Sequence, residues 1–127
     1  MIVIDTHAWI WWADGSKRLP LQARRQLERA PRVGVCAISC WEVAMLVTRG
    51  RLRLDRAVST WLQQALQLPA VELLPLEPEI AAGAAALAPF GGDPADQMIV
   101  ATARHWLAPL VSADQRITES GLISVIW

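Results

Sequence analysis

Residues 1–13 read MIVIDTHAWIWWA. Met1 to Ile4 is a short, largely β-branched run ended by Asp5. A run with no polar alternation reads as a strand covered on both faces, as in a parallel sheet. Thr6 to Ala13 then reads as a helix, stopped near Asp14-Gly15. The same couplet recurs along the chain. Pro20 stands where a first helical residue would, and QARRQLERA follows as an exposed basic helix ended by Pro31. Val33 to Ile38 is the second strand, and Ser39 to Thr48 an apolar helix with Gly50 as its C-terminal cap. Asp55 to Leu68 is amphipathic, with Val58, Trp61, Leu62, Ala65 and Leu68 on one face. Pro69 stops it, and Val71 to Leu74 is the third strand. Pro78 opens an Ala-rich helix to about Leu87, and Asp93-Pro94 opens a longer one to about Leu107. Its inner stripe is Met98, Ile99, Thr102, Ala103 and Trp106. Leu110 to Ser112 and Ile123 to Ile126 are the last two strands. Strands alternating with helices give an α/β class with a central, mainly parallel sheet between helical layers. No repeat, low-complexity tract or long linker divides the chain, so residues 1–127 are expected to form one domain.

Composition narrows the function classes. A hydrophobic fraction of 54% with 19% charged residues excludes a disordered chain. Net charge is zero, which excludes a uniformly basic nucleic-acid coat. The charge is nonetheless polarised. Residues 17–56 hold ten bases against three acids, whereas residues 57–127 hold two against seven. Nine of those ten bases are Arg, whose planar fork suits phosphate, although solvated helix faces would give the same pattern. Cys36 and Cys40 read as small apolar residues, since neither a disulfide framework nor a zinc set accompanies them. The longest apolar stretch, Ile80 to Phe90, contains Pro89 and falls short of the roughly 20 residues that span a bilayer. Asp5 interrupts the first apolar run and no basic segment precedes it, so the expectation is a cytoplasmic protein without a signal peptide. Seven Trp, three of them at Trp9, Trp11 and Trp12, exceed what one helix face can bury and suggest a contact surface, with large core residues as the equal alternative for any one of them.

Four acids occupy equivalent places. Asp5 follows the first strand and Asp114 the fourth; Glu42, in SCWE, and Asp96, in DPAD, open helices. Ligands of an open parallel sheet bind outside the carboxyl ends of its strands, so all four should share one rim. Each has a simpler explanation. Ser39 and Glu42 can form a capping box, Asp93 can cap the helix that Pro94 begins, and Asp5 or Asp114 can cap a turn. Together, though, clustered carboxylates repel unless a cation neutralises them, and oxygen-only ligands favour Mg²⁺ or Mn²⁺. Other plans fail. Gly91-Gly92 lacks the Lys-Ser/Thr of a phosphate-binding loop, and there is no G-x-S-x-G elbow. His7 reads as a hydrogen-bonded structural residue, with a general base beside a metal as the alternative.

The motifs IVIDTHAWIWW, AISCWEVAML, GDPADQMIVATA and PLVSADQRI, in that order, resemble the PIN-domain ribonucleases, most closely the VapC-like toxins of bacterial toxin–antitoxin pairs. The resemblance implies a three-layer α/β/α sandwich and an acidic quartet of Asp5, Glu42, Asp96 and Asp114 binding Mg²⁺ or Mn²⁺. It gives Ser39, Ser112 and Asp93 supporting places. It further implies hydrolysis of RNA by metal-activated water, a homodimer, and an antitoxin partner. Two features depart from the pattern. Ala44, Met45 and Leu46 are apolar where relatives carry a base, and the turn PFGGD lacks the His or Arg often found there. Substrate would then fall to Arg18, Arg24, Arg25, Arg49, Arg51 and Arg53. A binding module without turnover and a DNA-directed nuclease remain open alternatives.

Overall fold

The structure, a computed structural model, describes residues 1–87, 90 and 93–127. Five strands form one sheet in the order β3-β2-β1-β4-β5, every neighbouring pair parallel. They are β1 (Ile2–Ile4), β2 (Val33–Cys36), β3 (Val71–Leu74), β4 (Leu110–Val111) and β5 (Val125–Ile126). The helices are α1 (Thr6–Ala13), α2 (Leu21–Arg29), α3 (Ala37–Thr48), α4 (Val58–Leu66), α5 (Pro78–Ala86), α6 (Pro94–His105) and α7 (Gln115–Ser120). This is the expected three-layer α/β/α arrangement.

Side chains of β1 alternate between the two layers. Ile2 and Ile4 pack with Trp9, Leu27, Val43 and Trp61 of α1 to α4. Val3, between them, packs with Ile99, Val100 and Ala103 of α6 and Ile117 of α7. A third cluster of Ile80, Ala84 and Ala101 joins α5 to α6. The apolar β1 is thus explained: each of its faces lies against a helical layer. Val3 lies opposite Gly34 on one side and Leu110 on the other. A Cβ at Gly34 would come within 2.4 Å of Leu74 Cδ1, so the Leu74 side chain occupies the place of a missing one.

Several boundaries differ from the sequence reading. β2 ends at Cys36, not Ile38, because Cys36 pairs with Leu74, the last residue of β3, and nothing extends the ladder. α3 consequently starts at Ala37, and its N-cap is Cys36 rather than Ser39. Pro20 is the N-cap of α2, not its first residue. α4 begins at Val58, since Asp55 and Arg56 pair with each other in the preceding bend. α7 was not anticipated: its six residues, QRITES, bury Ile117 and have no apolar period. Pro89, Gly91 and Gly92, on which the readings of the apolar run and of the PFGGD turn depend, lie outside the described residues. Among the described residues no helix is long and apolar enough to cross a membrane.

Candidate active site

The sheet order reverses between β1 and β4: the chain moves outward through β2 and β3, then returns to place β4 beside β1. Crevices open at the carboxyl ends of strands at such switch points. Here a cavity of about 330 Å³ is lined by Asp5, Glu42, Asp96 and Asp114, with Asp93, Thr6, His7, Trp11, Ala113 and Arg116. The structure therefore brings the four sequence-predicted acids together at one rim.

Three of the lining acids cap helices. Asp5 Oδ1 accepts from Ala8 N at 2.9 Å and caps α1. Asp114 Oδ1 accepts from Arg116 N at 2.9 Å and caps α7. Asp93 caps α6, forming a capping box with Asp96: Asp93 Oδ1 accepts from Asp96 N at 2.9 Å, and Asp96 Oδ2 from Asp93 N at 3.2 Å. Capping and pocket lining coexist in these residues. The helix ends they occupy favour negative charge.

Glu42 is different. The expected capping box with Ser39 does not form, because the N-cap lies three residues earlier, at Cys36, and Ser39 falls inside the helix. Glu42 is instead buried, and its carboxylate Oε1 lies 2.5 Å from Thr6 Oγ1, which is also 2.9 Å from Ser39 Oγ. A hydroxyl has one proton to give. The charged acceptor takes it, and Ser39 donates to Thr6 in turn. Ser39 and Thr6 thus hold Glu42 in place from beneath the pocket. Ser112, also buried, plays the matching part just after β4: its Oγ accepts from Asp114 N at 3.0 Å and its hydroxyl bonds to Asp5.

Burial and mutual repulsion push protons onto this cluster. Glu42 is raised from 4.5 to about 7, first by desolvation, then by the charges of Asp93, Asp96 and Asp5. Asp96 is raised from 3.8 to about 6 by desolvation and by Asp93 and Asp114. Desolvation also raises Asp5. Asp114 moves the other way, because Arg116 bonds to it. Arg116 Nη2 lies 3.0 Å from Asp114 Oδ2 and 4.0 Å from Asp96 Oδ2, placing a cation among the acids.

That pattern is the chemistry of a hard-cation site: oxygen donors only, desolvated, mutually repulsive, and drawing in a positive group. As the side chains stand, no three His, Cys, Asp or Glu residues among those described meet closely enough to hold an ion. In its chemistry alone, oxygen donors without His or Cys, the set is of the kind that suits a hard divalent cation.

The six arginines named from the sequence do not line this cavity. Arg18, Arg25, Arg49, Arg51 and Arg53 are exposed, and Arg24 donates to Ser16 O at 3.0 Å. Arg49 instead borders a separate groove with Trp41 and Met98. Sequence reasoning missed Thr6, Arg116 and Trp11. Arg116 carried one available signal, its position two residues after Asp114 at a rim already expected to be acidic. His7 is exposed at the rim, its ring centroid 6.0 Å from that of Trp11.

Comparison with known proteins identifies the family and the fold. Residues 2–121 match the PIN domain family model. Over 117 residues the chain is 38% identical to "Ribonuclease VapC22" of Mycobacterium tuberculosis, covering 91% of this chain and 88% of that protein. Two solved structures share the fold at low identity. A toxin–antitoxin complex from Klebsiella pneumoniae superposes with a TM-score of 0.70 at 18% identity, covering 100% of this chain and 97% of that one. FitAcB from Neisseria gonorrhoeae gives a TM-score of 0.71 at 21% identity, with the same coverage of 100% and 97%.

Proposed function

The chain belongs to the PIN-domain family, and from that premise we propose that it is a metal-dependent endoribonuclease, the toxin of a toxin–antitoxin pair. The observation that carries this reading is Glu42. It is buried, it caps nothing, and it faces a cavity that it shares with Asp5, Asp96 and Asp114. A binding module whose acids were only helix caps would have no use for it. The 38% identical relative named as a ribonuclease supports the activity, and the named toxin–antitoxin complex of the same fold supports an antitoxin as partner. A homodimer belongs to the same reading.

Asp5, Glu42, Asp96 and Asp114 would hold Mg²⁺ or Mn²⁺. Such an ion, when bound, lowers the pKa of a coordinated water and offsets charge developing on a phosphodiester. The chain's own residues supply the rest. Thr6 and Ser39 support Glu42, while Ser112 bonds to the Asp5 carboxylate and accepts from the Asp114 backbone N–H, which supports the acids at the rim. The N-terminal ends of α1 and α6, capped by Asp5 and Asp93, lie at the cavity, where the helix dipoles favour negative charge. Arg116, which lines the cavity beside Asp114 and Asp96, brings to the rim a guanidinium, the group that pairs well with phosphate oxygens.

Cleavage of single-stranded RNA in Mg²⁺ by the purified chain, compared with Asp5→Asn and Asp96→Asn, tests the proposal. Both variants should lose cleavage while keeping the circular dichroism of the parent. RNA cutting that survives in either folded variant would refute the assignment.

A further inference from the structure

The acidic cavity has an aromatic wall. Trp11 and His7 line it alongside the acids. Trp127 adjoins Trp11, with ring centroids 5.8 Å apart and planes at 50°, and the Arg18 guanidinium carbon lies 5.9 Å from the centre of the Trp11 ring. These residues come from α1, from the turn before α2, and from the residue after β5. Core packing accounts for Trp9 and Trp61, which are buried and meet edge-on at 5.1 Å. It accounts for only part of this row: Trp11 packs on the edge of the core but is only partly buried, and His7, Arg18 and Trp127 are exposed. Rings reached by solvent, bordered by a guanidinium and continuous with a carboxylate cavity, have the composition of a surface for single-stranded nucleic acid, where bases stack on aromatic side chains.

We propose that Trp11, flanked by His7 and Trp127 and bordered by Arg18, is the stacking platform for one unpaired base of the substrate strand, next to the phosphodiester at the acids. The inference rests on the ribonuclease reading and deepens it: the substrate must present an unstacked base, so a loop or single strand is selected over a duplex. Arg18 adds the positive charge that a neighbouring phosphate needs.

The test uses the full chain carrying Asp96→Asn, to suppress turnover, and a labelled short single-stranded RNA followed by fluorescence anisotropy. One abasic position is walked along the RNA. In the protein with Trp11 intact, a single abasic position should weaken binding about 5- to 150-fold, the range of one base–aromatic stack. Trp11→Ala should impose a similar loss, Trp11→Phe should restore most of it, and the abasic penalty should vanish in the Ala variant. Should Trp11→Ala unfold, the abasic walk on the intact ring and on Trp11→Phe still decides. Binding to which no single base contributes, or an abasic penalty equal with and without the Trp11 ring, would overturn the platform while leaving the ribonuclease reading intact. No RNA binding by any of these forms, together with no RNA cleavage by the parent chain in Mg²⁺, would overturn both.

Discussion

Glu42→Gln should make the metal-free protein more stable at alkaline pH, although it removes a residue of the proposed site. The Gln side chain is nearly isosteric, and its carbonyl oxygen still accepts from Thr6 Oγ1. What it removes is a buried charge among Asp5, Asp93 and Asp96. Glu42 is raised from 4.5 to about 7 in the folded protein, so folding favours its protonated form. Its contribution is therefore most favourable below pH 4.5 and is lost as pH rises through about 7. At 1.36 kcal/mol per unit the full effect is roughly 3 kcal/mol, and solvent entering the open cavity reduces it to about 1–2 kcal/mol. Urea unfolding in a chelator at pH 4 and pH 8 measures this directly. The variant should match the parent at pH 4 and exceed it by about 1–2 kcal/mol at pH 8, while RNA cleavage in Mg²⁺ is lost. A site that costs stability in order to function behaves this way. Equal or lower stability of the variant at pH 8 would refute the electrostatic argument and return Glu42 to a structural role.

Three further outcomes follow from the fold and the charge pattern. Gly34→Ala should cost about 1–2 kcal/mol by thermal or urea unfolding, because the new methyl meets Leu74 in a buried layer. Leu107 ends α6 with a left-handed φ of 52° and a side chain 92% exposed, so Leu107→Gly should stabilise by about 0.5–1 kcal/mol in the same assay. If the exposed arginines hold RNA, its affinity should fall steeply with salt, and replacing Arg49, Arg51 and Arg53 with Gln should flatten that dependence, as titrations between about 50 and 200 mM salt will show.

The sheet was legible because each of its strands is a short run bounded by turn residues, and because Ile2, Val3 and Ile4 are all apolar, as coverage on both faces demands. The placement of Asp5 and Asp114 at one rim followed from strand direction alone. Helix starts were less legible. Ser39-Cys40-Trp41-Glu42 satisfies the capping-box pattern, yet the ladder between β2 and β3 ends at Cys36 and sets the cap of α3 three residues earlier. That three-residue shift turns Glu42 from a cap into a buried pocket carboxylate. α7 escaped notice because it is held by Asp114 at its start and by Ile117 beneath it, neither of which makes a period. Thr6 under Glu42 and Arg116 beside Asp96 are contacts between distant segments, for which one sequence carries no pairing signal.

The central claim is that these carboxylates bind a divalent cation, and calorimetric titration of the metal-free chain with Mn²⁺ tests it most directly. The account predicts saturable binding that is weakened at least tenfold by Asp5→Asn and by Asp96→Asn, both remaining folded. Absence of Mn²⁺ binding by the parent chain, or equal binding by parent and variants, would contradict it.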